Sequence, residues 1–443
     1  MVRGNGGEEY QDTIYGSVHL TPLQVELSRS AEVSHTERVS QLGLAHRVYS
    51  GAKHTRFAHN LGASILAGKY AEALGLGTVE TNTLVAALLL HDIGHTPFSH
   101  SAGAYFERRW GYGQEQLASE KILGNGEVHP ILLHHGINPQ IVAGLIFDRD
   151  FGLKGDQRQR CLKQLTSGSM DLDRLDFLMR DAAHTTLFRH LDFQKLMNFA
   201  LHLDDPEQGY IVAYEESAFP YIKAFLNAYS TMYETVYYSP DTKAYEAFLD
   251  KALNIMHEYL FERFRAYRQD PSQIDERDLE TALQQIPVDK SEYLVAREIV
   301  GLLEDPKKKP VIEAADACFL RTRDPESKEK LAKIYERFPF SGQGTDPLET
   351  LLLSELGARE GEVLVIRNIT DPQEYAPRKP TDIFIRLVNS GFSPGRIIPA
   401  DAYLGDETSL RKELRHYQSF RILTIREAYK QKIQRIMQQM TGI

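Results

Sequence analysis

Cysteine is nearly missing from this chain. Cys161 and Cys318 are the only two in 443 residues, lie far apart and form no CxxC or zinc-finger spacing. That excludes a disulfide scaffold and a thiolate zinc module, and predicts two reduced core thiols in an intracellular protein. Long apolar runs are missing too. The longest, Leu84 to Leu90, falls far short of the ~20 residues a membrane span needs. There is no excess of positive charge: 51 basic residues against 61 acidic leave a net charge of −10. Such a surface disfavours non-specific nucleic-acid and anionic-membrane binding, although a local pocket can still be basic. The opening, MVRGNGGEEY, is polar and Gly-rich and does not read as a signal peptide. A soluble, cytoplasmic protein is expected, with no membrane partner and no strong nucleic-acid surface.

What is present is ordinary globular material, 42% apolar and 25% charged. TIYGSVHLTPLQVEL carries Ile14, Val18 and Leu20 in alternation and predicts a short hairpin. Helical periodicity dominates from about 55 to 305. NLGASILAGKYAEALGL repeats apolar residues at Leu61, Ile65, Leu66 and Tyr70 and ends in Gly75 and Gly77, a C-cap signal. NTLVAALLL is apolar all round and predicts a buried helix. Further helices are expected at 160–167, 172–184, 220–238, 243–268, 276–286 and 290–304. The aromatic rings of 221–238 are expected to be mostly core. EDPKKKP, 304–310, is a candidate linker. Beyond it GEVLVIRNI and DIFIRLV have strand character, and the stretch from Ser409 to Met440 reads as a polar helical tail.

The chemistry concentrates at the end of the buried helix, in LLLHDIGHTPFSHS. His91, Asp92, His95 and His100 fall within ten residues, and Gly94 and Pro97 break the helix so that the later histidines can fold back. An ionisable group at a buried helix end costs desolvation unless it is paired. Imidazole with carboxylate is the usual shell of catalytic zinc, manganese or iron, but two adjacent residues do not complete one. KHTRFAHNLG offers His59 near a helix start, with Arg56 three residues earlier on the same face. SMDLDRLDFLMRDAAH offers Asp171, Asp173, Asp176 and Asp181. Leu172, Leu175 and Met179 form its buried stripe; taken alone, its acidic face reads as solvated.

His59, the pair His91-Asp92 and Asp173 stand in the H…HD…D order of the HD-domain metal-dependent phosphohydrolases. QLGLAHRVYSGAKHTRFAHNLG, LLHDIGHTPFSH and DLDRLDFLMRDAAHT resemble the branch containing the SAM-and-HD-domain deoxynucleotide triphosphohydrolase and its bacterial and archaeal relatives. QDTIYGSVHLTPL and VLVIRNITDPQEYAPRKPTDIFIRL are similar to that branch as well, so the resemblance runs from roughly 10 to 430. It implies a mainly α fold with an N-terminal hairpin and lead-in over 1–50, an HD-domain helical core over 51–305 and a smaller C-terminal α+β lobe over 306–443. It leaves no room for a separate N-terminal SAM domain.

The resemblance also implies one divalent metal ion (Mn, Fe, Mg, Zn, Ni or Co) held by His59, His91, Asp92 and Asp173. The implied reaction is dNTP plus water to deoxynucleoside plus triphosphate. Carried over by position, Gln41 and Asp181 contact the sugar 3′-hydroxyl, Leu42 packs on the sugar, and Arg56 and Arg174 hold phosphates. His95 lies beside the phosphates and His100 protonates the leaving oxygen. Relatives assemble as dimers or tetramers, so a homo-oligomer is expected.

Four departures thin the pattern. Gly103 stands where the family has an acid supporting His100, Gln114 replaces a second histidine, and Phe177 replaces a tyrosine. MYETVYYSPDTK places Thr235 and Ser239 where relatives have phosphate-binding cations. EVSHTERVS lacks the basic character of an activating-nucleotide site, so none is expected. His134 and His135 could supply the lost imidazole or simply cap a helix. Besides the triphosphohydrolase, two readings stay open: hydrolysis of another phosphoester (a nucleoside monophosphate, cyclic nucleotide or nucleic-acid end), or a catalytically impaired nucleotide-binding regulator.

Overall fold

The computed structural model describes residues 2–4, 7–124, 126–147, 157–185, 192–205, 209–304, 316–321, 346–368, 383–387, 397–400 and 419–441, with a few positions between 330 and 338. The chain is mainly helical. It opens with β1 (Val2–Gly4), β2 (Gly7–Asp12) and β3 (Gly16–Leu20), an antiparallel ribbon in which Glu8 faces Leu20. The expected hairpin is present, with Ile14 in its turn rather than in a strand: the Asp12 carboxylate accepts from the amides of Ile14 and Tyr15, and Gly16 takes φ +72°. Then come α1 (Pro22–Arg29), capped by Thr21, and the short α2 (Ala31–Ser34).

The body follows as α3 (Arg56–Ala73), α4 (Thr78–Leu90), α5 (His100–Trp110), α6 (Gln114–Leu123), α7 (Val128–His134), α8 (Pro139–Phe147), α9 (Gln157–Ser167), α10 (Leu172–Thr185) and α11 (Phe193–Asn198). The Thr55 hydroxyl caps α3, and Gly75 at φ +66° follows its last turn, where the sequence places a stop. Residues 83–90 of α4 are buried on every side. α4 packs along α3 and α10 crosses α3, so the C-terminal end of α4 and the first turns of α3 and α10 meet.

After β4 (Ala200–Asp205) and β5 (Gly209–Glu215) come α12 (Phe219–Met232), α13 (Pro240–Ile255), α14 (His257–Arg263), α15 (Glu276–Gln284) and α16 (Leu294–Glu304). Four expected helices are shorter than their pattern, those of 276–286 and 290–304 spanning Glu276–Gln284 and Leu294–Glu304. The aromatic helix passes at Tyr233–Tyr237 into a π-helical turn, and the 243–268 span breaks between Ile255 and His257. The candidate linker from 305 onward lies outside the described residues.

The C-terminal part gives β6 (Asp316–Arg321), α17 (Pro347–Leu356), β7 (Val363–Asn368), β8 (Phe384–Arg386), β9 (Ile397–Pro399), β10 (Ser419–Thr424) and α18 (Glu427–Thr441). The helical tail expected from Ser409 needs correction. Ser419–Thr424 is the central strand of the β6-β10-β7 sheet, with Ile422 and Leu423 buried, and helix begins only at Glu427. A four-stranded sheet, β4-β5-β8-β9, joins strands from either side of residue 305, β5 and β8 running parallel. The largest apolar core lies among α1, α3, α4, α8, α10 and α12, and a second is built around α5, α13, α15 and α16.

Candidate metal centre and active site

Three chain segments bring His59, His91 and Asp173 to one point, with Asp92 beside them. His59 projects from the first turn of α3, His91 and Asp92 from the end of α4, and Asp173 from the first turn of α10. The His59 Nε2 is 3.1 Å from His91 Nε2, 3.0 Å from Asp173 Oδ1 and 3.8 Å from Asp92 Oδ2. The His91 Nε2 is 3.4 Å from Asp92 Oδ2 and 3.3 Å from Asp173 Oδ1.

The other ring nitrogens decide what this means. The His59 Nδ1 lies 2.8 Å from the Asp176 carboxylate and the His91 Nδ1 2.9 Å from the Leu88 carbonyl. Each Nδ1 must therefore carry the proton, which leaves both Nε2 atoms as bare acceptors facing each other and two carboxylates. His59, His91 and Asp173 lie at 3.0–3.3 Å from one another, with Asp92 Oδ2 at 3.4–3.8 Å from the two imidazoles, and groups this close repel unless they share a proton or a metal ion. Ligands at about 2.1 Å from an ion are separated by about 3.0 Å in an octahedron and about 3.4 Å in a tetrahedron, so His59, His91 and Asp173 fit a divalent metal, with Asp92 beside them. The electrostatics agree. Burial opposes an imidazolium at His59, yet the Asp173 and Asp176 carboxylates outweigh it and lift the group to about 10. Burial likewise opposes the charged forms of Asp92 and Asp173, but Arg56 and His91 respectively hold them below the usual carboxylate range.

Behind the cage the acidic face of α10 is not solvated, contrary to its isolated pattern. Asp171, Asp176, Arg180 and Asp181 are all buried. Asp176 accepts from His59, from two guanidinium nitrogens of Arg180 at 2.9 Å each, and from the Tyr15 hydroxyl at 2.8 Å. Arg180 also pairs with Asp12 at 3.1 Å. Gly62 on α3 makes room for this guanidinium, because a Cβ there would collide with it.

In front, Asp92 and Asp173 open onto a cavity of about 490 Å³. Gln41, Leu42, Arg56, His95, His100 and Asp181 line it as well, so the structure gathers all but one of the expected substrate residues around it. Arg56 donates to Asp92, to Ser99 Oγ at 2.9 Å and to the Gln41 carbonyl at 3.4 Å. The His95 Nε2 is 3.2 Å from Asp92 Oδ1, and the His100 ring stands perpendicular to that of His95 at 5.1 Å. Burial and then Arg56 lower both, His95 to about 4. Among the described residues the buried Gln41 Oε1 has no hydrogen-bond partner. Asp181 accepts 2.6 Å bonds from His54 Nε2 and the Tyr237 hydroxyl.

Arg174 is the exception. Its guanidinium turns back to Asp171 and to the Gly168 carbonyl at 2.7 Å, and it does not line the cavity. Gln114 and Phe177 do, whereas Thr235 and Ser239 do not. His134 and His135 lie outside the lining, against Glu26 of α1. Two contributors, Lys243 and Glu276, were missed in the sequence. Lys243 enters the cavity from α13, 2.7 Å from Glu246 and 4.7 Å above the Tyr238 ring. The Pro240 helix start beside it was the available signal. Asp176 was visible only as a spacing. Glu276 was not marked at all; the Oε1 of this half-buried residue accepts from Ser40 N, Ser40 Oγ and Phe98 N at 2.7, 2.6 and 3.0 Å.

Residues 56–165 match the family model of the HD domain. This chain carries an HD domain. The matched span contains Arg56, His59, His91, Asp92, His95 and His100 and stops short of Asp173. The uncharacterized protein YwfO of Bacillus subtilis is 30% identical over 254 residues, 55% of this chain and 55% of that protein. Human deoxynucleoside triphosphate triphosphohydrolase SAMHD1 is 29% identical over 219 residues, 43% of this chain and 35% of that protein. The chain thus spans about half or less of the length of these curated relatives. A phosphohydrolase from Bacteroides thetaiotaomicron superposes with a TM-score of 0.68 over 95% of this chain and 100% of that one, at 21% identity. That likeness is one of fold. Among the described residues no helix is long and apolar enough to cross a membrane.

Proposed function

We propose that this HD domain is a metal-dependent phosphohydrolase acting on nucleotides, and that its reaction is dNTP plus water to deoxynucleoside plus triphosphate. The observation that carries the reading is a His/Asp cluster opening directly onto a cavity that Arg56 and Lys243 also line. His59, His91, Asp92 and Asp173 would hold one divalent ion. Such an ion, when bound, polarises a phosphate oxygen and eases loss of a proton from water. Arg56 and Lys243 bind the phosphates, Lys243 leaving Glu246 to do so. His95 lies beside them. His100 donates its proton to the departing 5′ oxygen. In the free cavity burial and Arg56 disfavour that proton; a polyanion that neutralises Arg56 reverses the second effect. Gln41 and Asp181 hold the sugar 3′-hydroxyl and Leu42 packs on the ring. The partners proposed with it are a nucleotide substrate and, on the resemblance alone, further copies of the chain as a homo-oligomer.

One observation favours a second reading. With Arg174 tied to Asp171, the phosphates are left to Arg56 and to Lys243, which must first leave Glu246. A smaller phosphoester, such as a nucleoside monophosphate or cyclic nucleotide, needs fewer cations. A panel of dNTPs, monophosphates and a chromogenic diester, each with manganese, magnesium, iron or cobalt, separates the two. Triphosphate release from dNTPs supports the first reading and diester or monophosphate turnover the second. No turnover of any of them, with metal bound, sinks both.

A further inference from the structure

A second convergence of ligand atoms lies where the end of α7 meets α1, outside the cavity lining. The His135 Nε2 is 2.8 Å and the His134 Nδ1 3.4 Å from the same oxygen, Oε2 of Glu26. The three ligand atoms all lie within 4.8 Å of one another. The two rings stand 5.0 Å apart, inclined at 54°. An open groove of about 470 Å³, lined also by Glu127, Arg29 and Ile131, runs beside them.

The surrounding charges favour a cation. Arg29 is engaged by Glu8, and no lysine or arginine pairs with Glu26 among the described residues. At 2.8 Å the His135 Nε2–H donates to the Glu26 carboxylate, and a metal ion entering the cluster takes the place of that proton. Two imidazoles and one carboxylate form the donor set of open, three-ligand zinc sites, and equally suit nickel, cobalt and copper. The N–O spacings match the edges of such a coordination shell. His134 is 72% exposed, so the remaining positions face water.

We infer that Glu26, His134 and His135 bind a divalent transition-metal ion, a site separate from the HD cage and built from different helices. An ion there ties α7 to α1. α1 packs on α4, whose end carries His91 and Asp92, so the second ion braces the scaffold of the first.

The test is calorimetric titration of untagged, chelator-stripped protein with Ni²⁺ at pH 7.5, with the bound metal counted after gel filtration. The wild type is expected to take up two ions per chain. His134→Gln, at an exposed position, should bind one, and Glu26→Gln should weaken the second site by at least about tenfold. Asp173→Asn should lose the other ion and keep this one. Identical stoichiometry and affinity in the wild type, His134→Gln and Glu26→Gln would overturn the proposal. So would a wild-type stoichiometry of one that Asp173→Asn abolishes.

Discussion

Asp176 shows how much of the centre depends on a side chain that touches no substrate. Its two oxygens accept four hydrogen bonds, one of which fixes the proton of His59 on Nδ1 and turns Nε2 into the cage. A carboxylate in this position also raises the basicity of the ligating ring. Asp176→Asn keeps the volume but removes the charge that offsets Arg180. It is expected to weaken manganese binding by about 10–100-fold, as read by competition with a chromogenic chelator. Unchanged affinity would show that the ring is oriented by packing alone. The role of Asp176 was not legible because spacing shows which residues share a helix face, not what that face meets. Leu172, Leu175 and Met179 account for one buried stripe, yet α10 is enclosed further round, by Tyr15 from the hairpin turn and by α3 beside Gly62. Arg174 failed for a related reason. It follows Asp173 directly, so it points about 100° away round the helix and finds Asp171 instead of the cavity.

At the scale of elements, the turn between α4 and α5 holds the site's strain. Phe98 and Ser99 have φ of +57° and +48°, a region that non-glycine residues occupy only when their surroundings over-determine them. The determinants are visible. Glu276, at the start of α15, clamps the Phe98 amide, and Ser99 Oγ bridges Arg56 and the Ser40 carbonyl. The strained turn sets down His100 as the first residue of α5, against His95. Glu276→Ala strands three donors and is expected to cost roughly 2–4 kcal/mol in urea unfolding. Amide exchange at Phe98–His100 should rise with it, while Glu276→Gln restores part of both. A loss of stability without faster exchange in that turn would assign Glu276 to general packing. The sequence showed the parts of this element, His95, Pro97 and His100, because the chemistry demands those residue types. It did not show Glu276, whose clamp spans 178 positions. The strand hidden in the expected tail is a similar case: Ser419–Thr424 pairs with β6 and β7, partners that local pattern cannot foresee.

For the whole molecule, the cage links segments that the chain order keeps apart. His59, His91 and Asp173 hold three helices of the main core to one point, and Asp92 continues through Arg56 and Ser99 to the turn that Glu276 ties to the second core. A ligand bound by the folded chain alone adds RT ln(1 + [L]/Kd) to its stability, about 2.7 kcal/mol at a hundredfold excess over Kd. Unfolding entropy grows with length, at about 2.1 cal/mol/K per residue. For 443 residues that stabilisation becomes a rise in Tm of about 3 °C. Manganese is the ion to use, since its preference for oxygen-rich shells favours the two-carboxylate cage over the Glu26 site. The rise should appear in scanning calorimetry on adding manganese to stripped protein and vanish on adding a chelator. Asp173→Asn, which leaves three ligands and one carboxylate fewer, should show almost none of it. A wild-type Tm indifferent to manganese, or a full rise in Asp173→Asn, would mean that the four acceptors do not act as one binding site. Their close approach would then have to be relieved by a shared proton, and the basis for a metal-dependent hydrolase would be gone.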